Sequence, residues 1–149
     1  MSAAAVPAKK VLVVDDNEDV RCFLVELMRE SGYDAISAPD GNQALRLVYQ
    51  TSFDLVILDL VMPDCSGHQL IPQILAIDEG ISIVVVSGYA GCLEQRSLKE
   101  MGVKRVLTKP FKSERLLEIA HILTGRERAL DRLMNNTTRS GLLSPGPSL

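Results

Sequence analysis

The chain alternates between short apolar segments and longer stretches in which apolar residues recur every three or four positions. A short apolar run is typical of a strand buried on both faces, and the three-to-four spacing is typical of an amphipathic helix. The segments at 11–14 and 55–58 are wholly apolar. The pattern predicts five strands, at residues 11–14, 33–38, 55–59, 81–86 and 103–107.

Polar and glycine residues mark where the intervening helices begin and end. We expect Asp16 or Asn17 to cap the first helix and Ser113 to cap the fifth. Glycines should close two of the helices, at Ser31-Gly32 and at Gly102. The third helix follows the loop 63–67, and Pro72 is expected within about its first turn, where proline is tolerated.

Five alternating strands and helices predict an α/β domain with a parallel sheet and helices on both faces. A closed barrel would need eight such units. A dinucleotide-binding half-domain would need a glycine-rich turn after the first strand, where this chain has Asp-Asp-Asn-Glu. The remaining architecture is an open, doubly wound, five-stranded sheet of flavodoxin-like strand order 2-1-3-4-5.

Charged and polar side chains follow four of the five predicted strands. Strand one ends in Asp15 and Asp16, strand three in Asp59, strand four in Ser87, and strand five is followed by Lys109. Parallel strands end at one edge of the sheet, which is where open α/β sheets bind ligands. Carboxylates that lie close together repel one another, so either one of them binds a proton or a cation neutralises them. Carboxylate oxygens are ligands that Mg²⁺ prefers. A cation with Lys109 and Ser87 would suit a phosphoryl group, either bound or carried on Asp59.

Composition narrows the class of protein without changing this prediction. The 149 residues are 46% hydrophobic and 23% charged, as in a soluble globular domain. A net charge of −3 gives no sign of the excess of basic residues that is typical of nucleic-acid-binding proteins. Three scattered cysteines predict reduced thiols in a cytoplasmic protein, and no segment is apolar enough for a signal peptide or a membrane span. We expect residues 1–9 to be a disordered tail, 10–123 the domain, and 124–149 a partly helical, then disordered tail.

The strand-end motifs together resemble those of the response-regulator receiver domains of two-component signalling. The matching segments are Val11-Leu12-Val13-Val14-Asp15-Asp16, Asp59-Leu60-Val61-Met62-Pro63 with Gly67, Val86-Ser87-Gly88-Tyr89, and Leu107-Thr108-Lys109-Pro110-Phe111. The resemblance implies that Asp59 accepts a phosphoryl group from a phosphohistidine on a histidine kinase or phosphotransfer protein. It implies that Asp15, Asp16, Asp59 and the backbone carbonyl of Val61 hold Mg²⁺. Ser87 would be the switch hydroxyl, Lys109 would pair with the phosphoryl group, and the Lys109–Pro110 peptide bond would be cis.

One position departs from the family pattern. Val106 stands where the family usually carries the aromatic ring that changes rotamer with the switch hydroxyl, and a β-branched valine cannot swing in that way. The output mechanism therefore stays open, with Tyr89 as an alternative moving ring. In the family that this chain resembles, the positions of Val61 and Tyr89 flank the path of an attacking water. Because neither helps to orient water, we expect a phosphoaspartate that hydrolyses slowly.

Two other functions remain as alternatives to a phosphoacceptor. A degenerate receiver would act only as a protein-interaction module, but all five site residues are present. A phosphatase of the haloacid-dehalogenase type would carry Asp-x-Asp after its first strand, whereas this chain has Asp59-Leu60-Val61 after its third. The downstream partner is either a separate protein or a missing output domain that 124–149 would link. His68 and His121 are expected to be ordinary structural residues.

Overall fold

The computed structural model describes residues 7–63, 66–88 and 91–125. The strands are β1 (Lys10–Val14), β2 (Asp34–Ala38), β3 (Leu55–Asp59), β4 (Ser82–Ser87) and β5 (Arg105–Thr108). The helices are α1 (Glu18–Glu30), α2 (Gly41–Gln50), α3 (Gly67–Ile77), α4 (Cys92–Met101) and α5 (Ser113–Leu123). Each predicted strand is present, with bounds that agree to within about two residues.

The five strands form one parallel sheet in the order β2-β1-β3-β4-β5, which confirms the predicted α/β architecture. Val14 lies opposite Leu58, and Asp59 lies opposite Val86. The carboxyl ends of β1, β3 and β4 therefore meet at the same edge. That edge contains the point where the strand order reverses, between β1 and β3.

The core lies on both faces of the sheet because side chains alternate along each central strand. Leu12, Val56 and Ile83 belong to one buried cluster, which packs with residues of α2, α3 and α4. Their chain neighbours Val11, Leu55 and Val84 belong to the other, which packs with residues of α1 and α5. Burial on both sides explains why these strands are continuously apolar.

Most helix ends follow the sequence signals. The side chain of Asn17 accepts a hydrogen bond from the amide of Val20 and caps α1. Gly102 closes α4 with a φ of 113°, in the left-handed region that glycine adopts without a Cβ clash. Ser66 caps α3 by accepting from the amide of Gln69.

Two predictions about helix ends are wrong. Ser113 is the first residue of α5 and not its cap, because the carbonyl of Lys112 already accepts from the amide of Leu116. Pro72 is inside α3, beyond the first turn, because the cap at Ser66 starts the helix five residues earlier. Proline there removes one helical hydrogen bond, a loss that burial of Leu70, Ile71 and Ile74 offsets.

Several sequence predictions fall outside the described residues. These are the predictions on Cys65 and Tyr89, on the first six residues, and on the segment after residue 125. The proposed domain boundaries stay a prediction. Across the parts of the chain that the structure describes, no helix has both the length and the apolar character needed to cross a membrane.

Candidate functional site

Three carboxylates lie together at the carboxyl edge of the sheet. Asp15 and Asp16 directly follow β1, and Asp59 is the last residue of β3. Because β1 and β3 are neighbours, these side chains converge, and one oxygen from each lies within 4.8 Å of the others. Asp15 is buried, Asp59 is half-buried and Asp16 is exposed, so the cluster opens to solvent on one side.

Asp15 is the most firmly held of the three. Its side chain is 3% exposed, and its Oδ1 accepts a hydrogen bond of 2.9 Å from the amide of Asn17. Its Oδ2 lies 4.0 Å from the Nζ of Lys109. Lys109 directly follows β5, so the cation reaches the cluster from the far side of β4. Fixing Asp15 in this way orients one oxygen donor before any ligand arrives.

The cluster carries an excess of negative charge, and Asp59 shows its effect. Burial of this side chain, and then the charge of Asp15, raise the pKa of Asp59 above its ordinary value of 3.8. Asp16 acts in the same direction more weakly. The amide of Val61, which donates to Asp59 Oδ1 at 3.3 Å, and the charge of Lys109 oppose the rise without cancelling it. A bound cation would stabilise the ionised form of Asp59.

The donor set fits a hard divalent cation. All three donors are carboxylate oxygens, close enough to share one ion, and one side of the cluster is open to water. Mg²⁺ prefers such oxygen ligands and retains several waters, so it does not need a closed protein cage. Among the residues the structure describes, this is the one group of three or more acidic, histidine or cysteine side chains with metal-binding spacing.

Ser87 and Lys109 stand side by side at the same edge. Ser87 is the last residue of β4, 2% exposed, and one position beyond Val86, the register partner of Asp59. The amide of Lys109 donates to the carbonyl of Ser87 at 2.7 Å. The Lys109–Pro110 peptide bond is cis, as the family resemblance implied. Ser87 and Lys109 thus lie at the edge of the sheet that carries the carboxylates, with the ammonium 4.0 Å from Asp15.

The loop after β3 is shaped by a close contact at Gly67. A Cβ added there would lie 3.0 Å from the Cα of Leu60 and 3.0 Å from its Cδ1. The amide of Gly67 also donates to the carbonyl of Leu60 at 2.8 Å. The loop therefore folds back onto Leu60, and Val61, two residues after Asp59, is left 73% exposed beside the site.

Val106 lies in β5 opposite Val85, half-buried against the cluster that includes Leu98 of α4. The position thus faces α4, but it carries no ring.

The structure contains three side-chain contacts that the sequence did not predict. His68 of α3 pairs with Glu94 of α4, with Nε2 and Oε2 3.2 Å apart. The buried hydroxyl of Tyr33 forms a hydrogen bond with His121 Nδ1, and the two rings stack. Arg21 of α1 donates to the backbone carbonyl of Asp15 at 2.9 Å. Only Arg21 touches the carboxylate site, and its place one turn into α1 was the signal that could have revealed it.

Comparison with known proteins identifies the family. A family model described as the response regulator receiver domain matches residues 11–121. The chain therefore belongs to the response-regulator receiver family of two-component systems.

Individual relatives agree with this assignment. The chain is 33% identical over 103 residues to sporulation initiation phosphotransferase F of Bacillus subtilis (strain 168), a match that covers 69% of this chain and 83% of that protein. Several other curated relatives are longer, and the chain spans about half of their length.

Solved structures show the same fold. Chemotaxis protein CheY4 of Vibrio cholerae superposes with a TM-score of 0.75 at 26% identity, covering 78% of this chain and 99% of that one. A response regulator of Burkholderia pseudomallei superposes with a TM-score of 0.72 at 28% identity, covering 85% and 75%. That structure contains a phosphorylated aspartic acid, a calcium ion and citrate.

Proposed function

We propose that this chain receives a phosphoryl group on Asp59 from a phosphohistidine, with Mg²⁺ held by Asp15, Asp16, Asp59 and the backbone carbonyl of Val61. The observation that carries the proposal is the cluster of three carboxylate oxygens within 4.8 Å, with Lys109 beside it. A cluster placed only for structure would have no need of three mutually repelling carboxylates at the ligand-binding edge of the sheet.

In the proposed reaction Asp59 is the nucleophile. One carboxylate oxygen forms a bond to phosphorus as the bond from phosphorus to the donor imidazole nitrogen breaks. The imidazole keeps the electron pair of that bond and takes a proton from solvent. Asp59 must be ionised to attack. Burial and the charge of Asp15 raise its pKa, while the amide of Val61 and the charge of Lys109 favour the carboxylate.

The other site residues stabilise the transferred group. The Lys109 ammonium neutralises phosphoryl oxygens, and the Ser87 hydroxyl donates a hydrogen bond to one of them. When bound, Mg²⁺ supplies further neutralisation of the phosphoryl charge. The acyl phosphate formed on Asp59 replaces a carboxylate with a larger, doubly charged group, which biases the position of Ser87 and of the elements that follow β4.

The partner that donates the group is a sensor histidine kinase or a histidine phosphotransfer protein in the cytoplasm. The recipient of the signal is a downstream protein or an output domain outside this chain. The face formed by α4, β5 and α5 is the surface that phosphorylation switches. Because Val106 has no ring, this face responds through movement of backbone or of other side chains.

The phosphorylated state is expected to last for minutes or longer. The side chain of Val61 is apolar, and the residue is 73% exposed beside Asp59. This side chain therefore offers an attacking water no hydrogen-bond partner. Autodephosphorylation is then slow, and the chain acts as a signalling domain rather than as a phosphatase with multiple turnover.

Phosphorylation with acetyl phosphate and Mg²⁺ tests this function. The wild-type chain should take up one phosphoryl group, and EDTA or Asp59→Asn should abolish uptake. Asp54→Asn is a matched control, because Asp54 precedes β3 and so lies at the opposite end of the same strand. Absence of an adduct on the wild type would favour an interaction module, and continued turnover of a phosphoester would favour a phosphatase.

A further inference from the structure

Arg21 connects α1 to the loop that carries two of the site carboxylates. It is the fourth residue of the helix, and its Nη1 donates a hydrogen bond of 2.9 Å to the backbone carbonyl of Asp15. Side chains on a helix lean towards its N-terminus, so a long side chain one turn into α1 lies over the loop that precedes it. Arg21 is half-buried in this position.

The Asp15 carbonyl lies between two regular elements. The amide of Asp15 still bonds across the sheet, to the carbonyl of Ala38 at 3.2 Å. Helical hydrogen bonding begins two residues later, where the carbonyl of Asn17 accepts from the amide of Arg21 at 2.9 Å. The Asp15 carbonyl takes part in neither pattern and is paired with the guanidinium instead. A backbone carbonyl of a buried residue strongly requires such a partner.

We propose that Arg21 is a positioning residue for the carboxylate site: by holding the Asp15 carbonyl it fixes Asp15 and Asp16 in the arrangement that binds the divalent cation. This inference rests on the proposed function. The carbonyl of Asp15 and the amide of Asp16 share one planar peptide unit, so fixing that carbonyl also fixes the direction in which the chain reaches Asp16. Residues that support metal ligands from outside commonly change metal affinity by about 10–100-fold.

The charge of Arg21 acts in the opposite direction. A guanidinium bonded to the backbone carbonyl of Asp15 adds positive charge near the site, so loss of the charge alone would strengthen cation binding. Loss of the hydrogen bond frees two mutually repelling carboxylates to move apart and would weaken binding. We expect positioning to outweigh charge, because Arg21 bonds a backbone carbonyl and, among the described residues, forms no ion pair with a carboxylate.

Arg29 provides a matched control on the same helix. Its Nε donates to the carbonyl of Ala35 at 2.9 Å, so it also bonds a backbone carbonyl six positions away. It lies in the last turn of α1, at the end remote from the carboxylates. Removing Arg29 takes away the same charge and the same kind of hydrogen bond without touching the site.

Calorimetric titration with Mg²⁺ of the whole chain tests the proposal on the wild type, Arg21→Met, Arg21→Lys and Arg29→Met. We expect Arg21→Met to weaken Mg²⁺ binding by roughly tenfold. Arg21→Lys keeps a charged donor on a long stem and should restore most of the affinity. Arg29→Met should bind Mg²⁺ as the wild type does.

Amide hydrogen exchange without metal provides a second readout. The Asn17 amide donates to Asp15 Oδ1, so its exchange should accelerate in Arg21→Met and stay unchanged in Arg29→Met. Wild-type or tighter Mg²⁺ binding by Arg21→Met, or equal losses in the two methionine variants, would overturn the proposal. Failure of the wild type itself to bind Mg²⁺ would instead refute the proposed function, and the exchange measurement would still decide whether Arg21 fixes the loop.

Discussion

Replacement of Asp59 by asparagine should make the metal-free protein more stable at neutral pH. The side chain keeps its size and can still accept the hydrogen bond from the amide of Val61, but it no longer adds a third negative charge to the cluster. Most substitutions at partly buried positions destabilise a protein, so a gain here would be a specific signature of repulsion between the carboxylates.

The separation of the carboxylates sets the size of the effect. Their nearest oxygens lie within 4.8 Å of one another. Two unit charges at that distance repel by about 0.9 kcal/mol in water and by about 3.5 kcal/mol at an effective dielectric constant of about 20. Lys109 offsets part of this repulsion, and solvent around the half-buried Asp59 screens it. We therefore expect the free energy of unfolding to rise by about 1–2 kcal/mol.

The gain should depend on pH in a defined direction. The raised pKa of Asp59 means that the folded state binds this proton more tightly than the unfolded state. The stability of the wild type therefore falls, through this group, as pH rises from 3.8 to the raised pKa, and the cost is constant above it. The advantage of Asp59→Asn should be absent below this window, grow through it and reach a plateau above the raised pKa of Asp59.

Urea denaturation in EDTA across this range measures the effect. Glu79→Gln is the control, since Glu79 is an exposed residue of the α3–β4 loop and its loss changes the net charge equally. Added Mg²⁺ should stabilise the wild type more than Asp59→Asn. An Asp59→Asn protein less stable than the wild type at neutral pH, or an equal gain from Glu79→Gln, would refute the electrostatic reasoning.

Three further predictions concern the loop, the switch face and the phosphorylated state. Gly67→Ala forces a Cβ to 3.0 Å from Leu60 and should cost about 1–3 kcal/mol in urea denaturation, whereas Gly88→Ala, with nothing within 4 Å, should cost far less. Val106→Ala should lower stability by about 0.5–1.5 kcal/mol, yet leave the initial rate of phosphorylation by acetyl phosphate unchanged; a large fall in rate would place Val106 in the chemistry. Phosphate release from the phosphorylated chain should take minutes or longer and accelerate in Val61→Asn, and loss within seconds from the wild type would contradict the role given to Val61.

The fold was predictable because its main signals are local. Wholly apolar runs such as 55–58 are typical of strands buried on both faces. Five strand-like segments that alternate with helical ones leave few topologies. The convergence of Asp15, Asp16 and Asp59 follows from the same topology, because parallel strands end at one edge. Their proposed roles rest on the family and on the chemistry of clustered carboxylates.

Exact helix ends and contacts between distant residues were not predictable. Serine is a common N-cap residue, but Lys112 occupies the N-cap position of α5 and its carbonyl accepts the first helical hydrogen bonds. Pro72 is tolerated inside α3 because the residues around it are buried, which only the packed structure reveals. The pairing of Tyr33 with His121 joins residues 88 positions apart, and nothing in the local sequence of either indicates the other.

The central claim is that Asp59 is the residue that accepts the phosphoryl group. The most direct measurement is to phosphorylate the chain from a phosphohistidine donor in Mg²⁺, reduce the acyl phosphate with borohydride and locate the resulting homoserine by peptide mass spectrometry. The account predicts the modification at Asp59 and its absence in Asp59→Asn. Modification at another aspartate, or none on the wild-type chain while the donor stays phosphorylated, would contradict it.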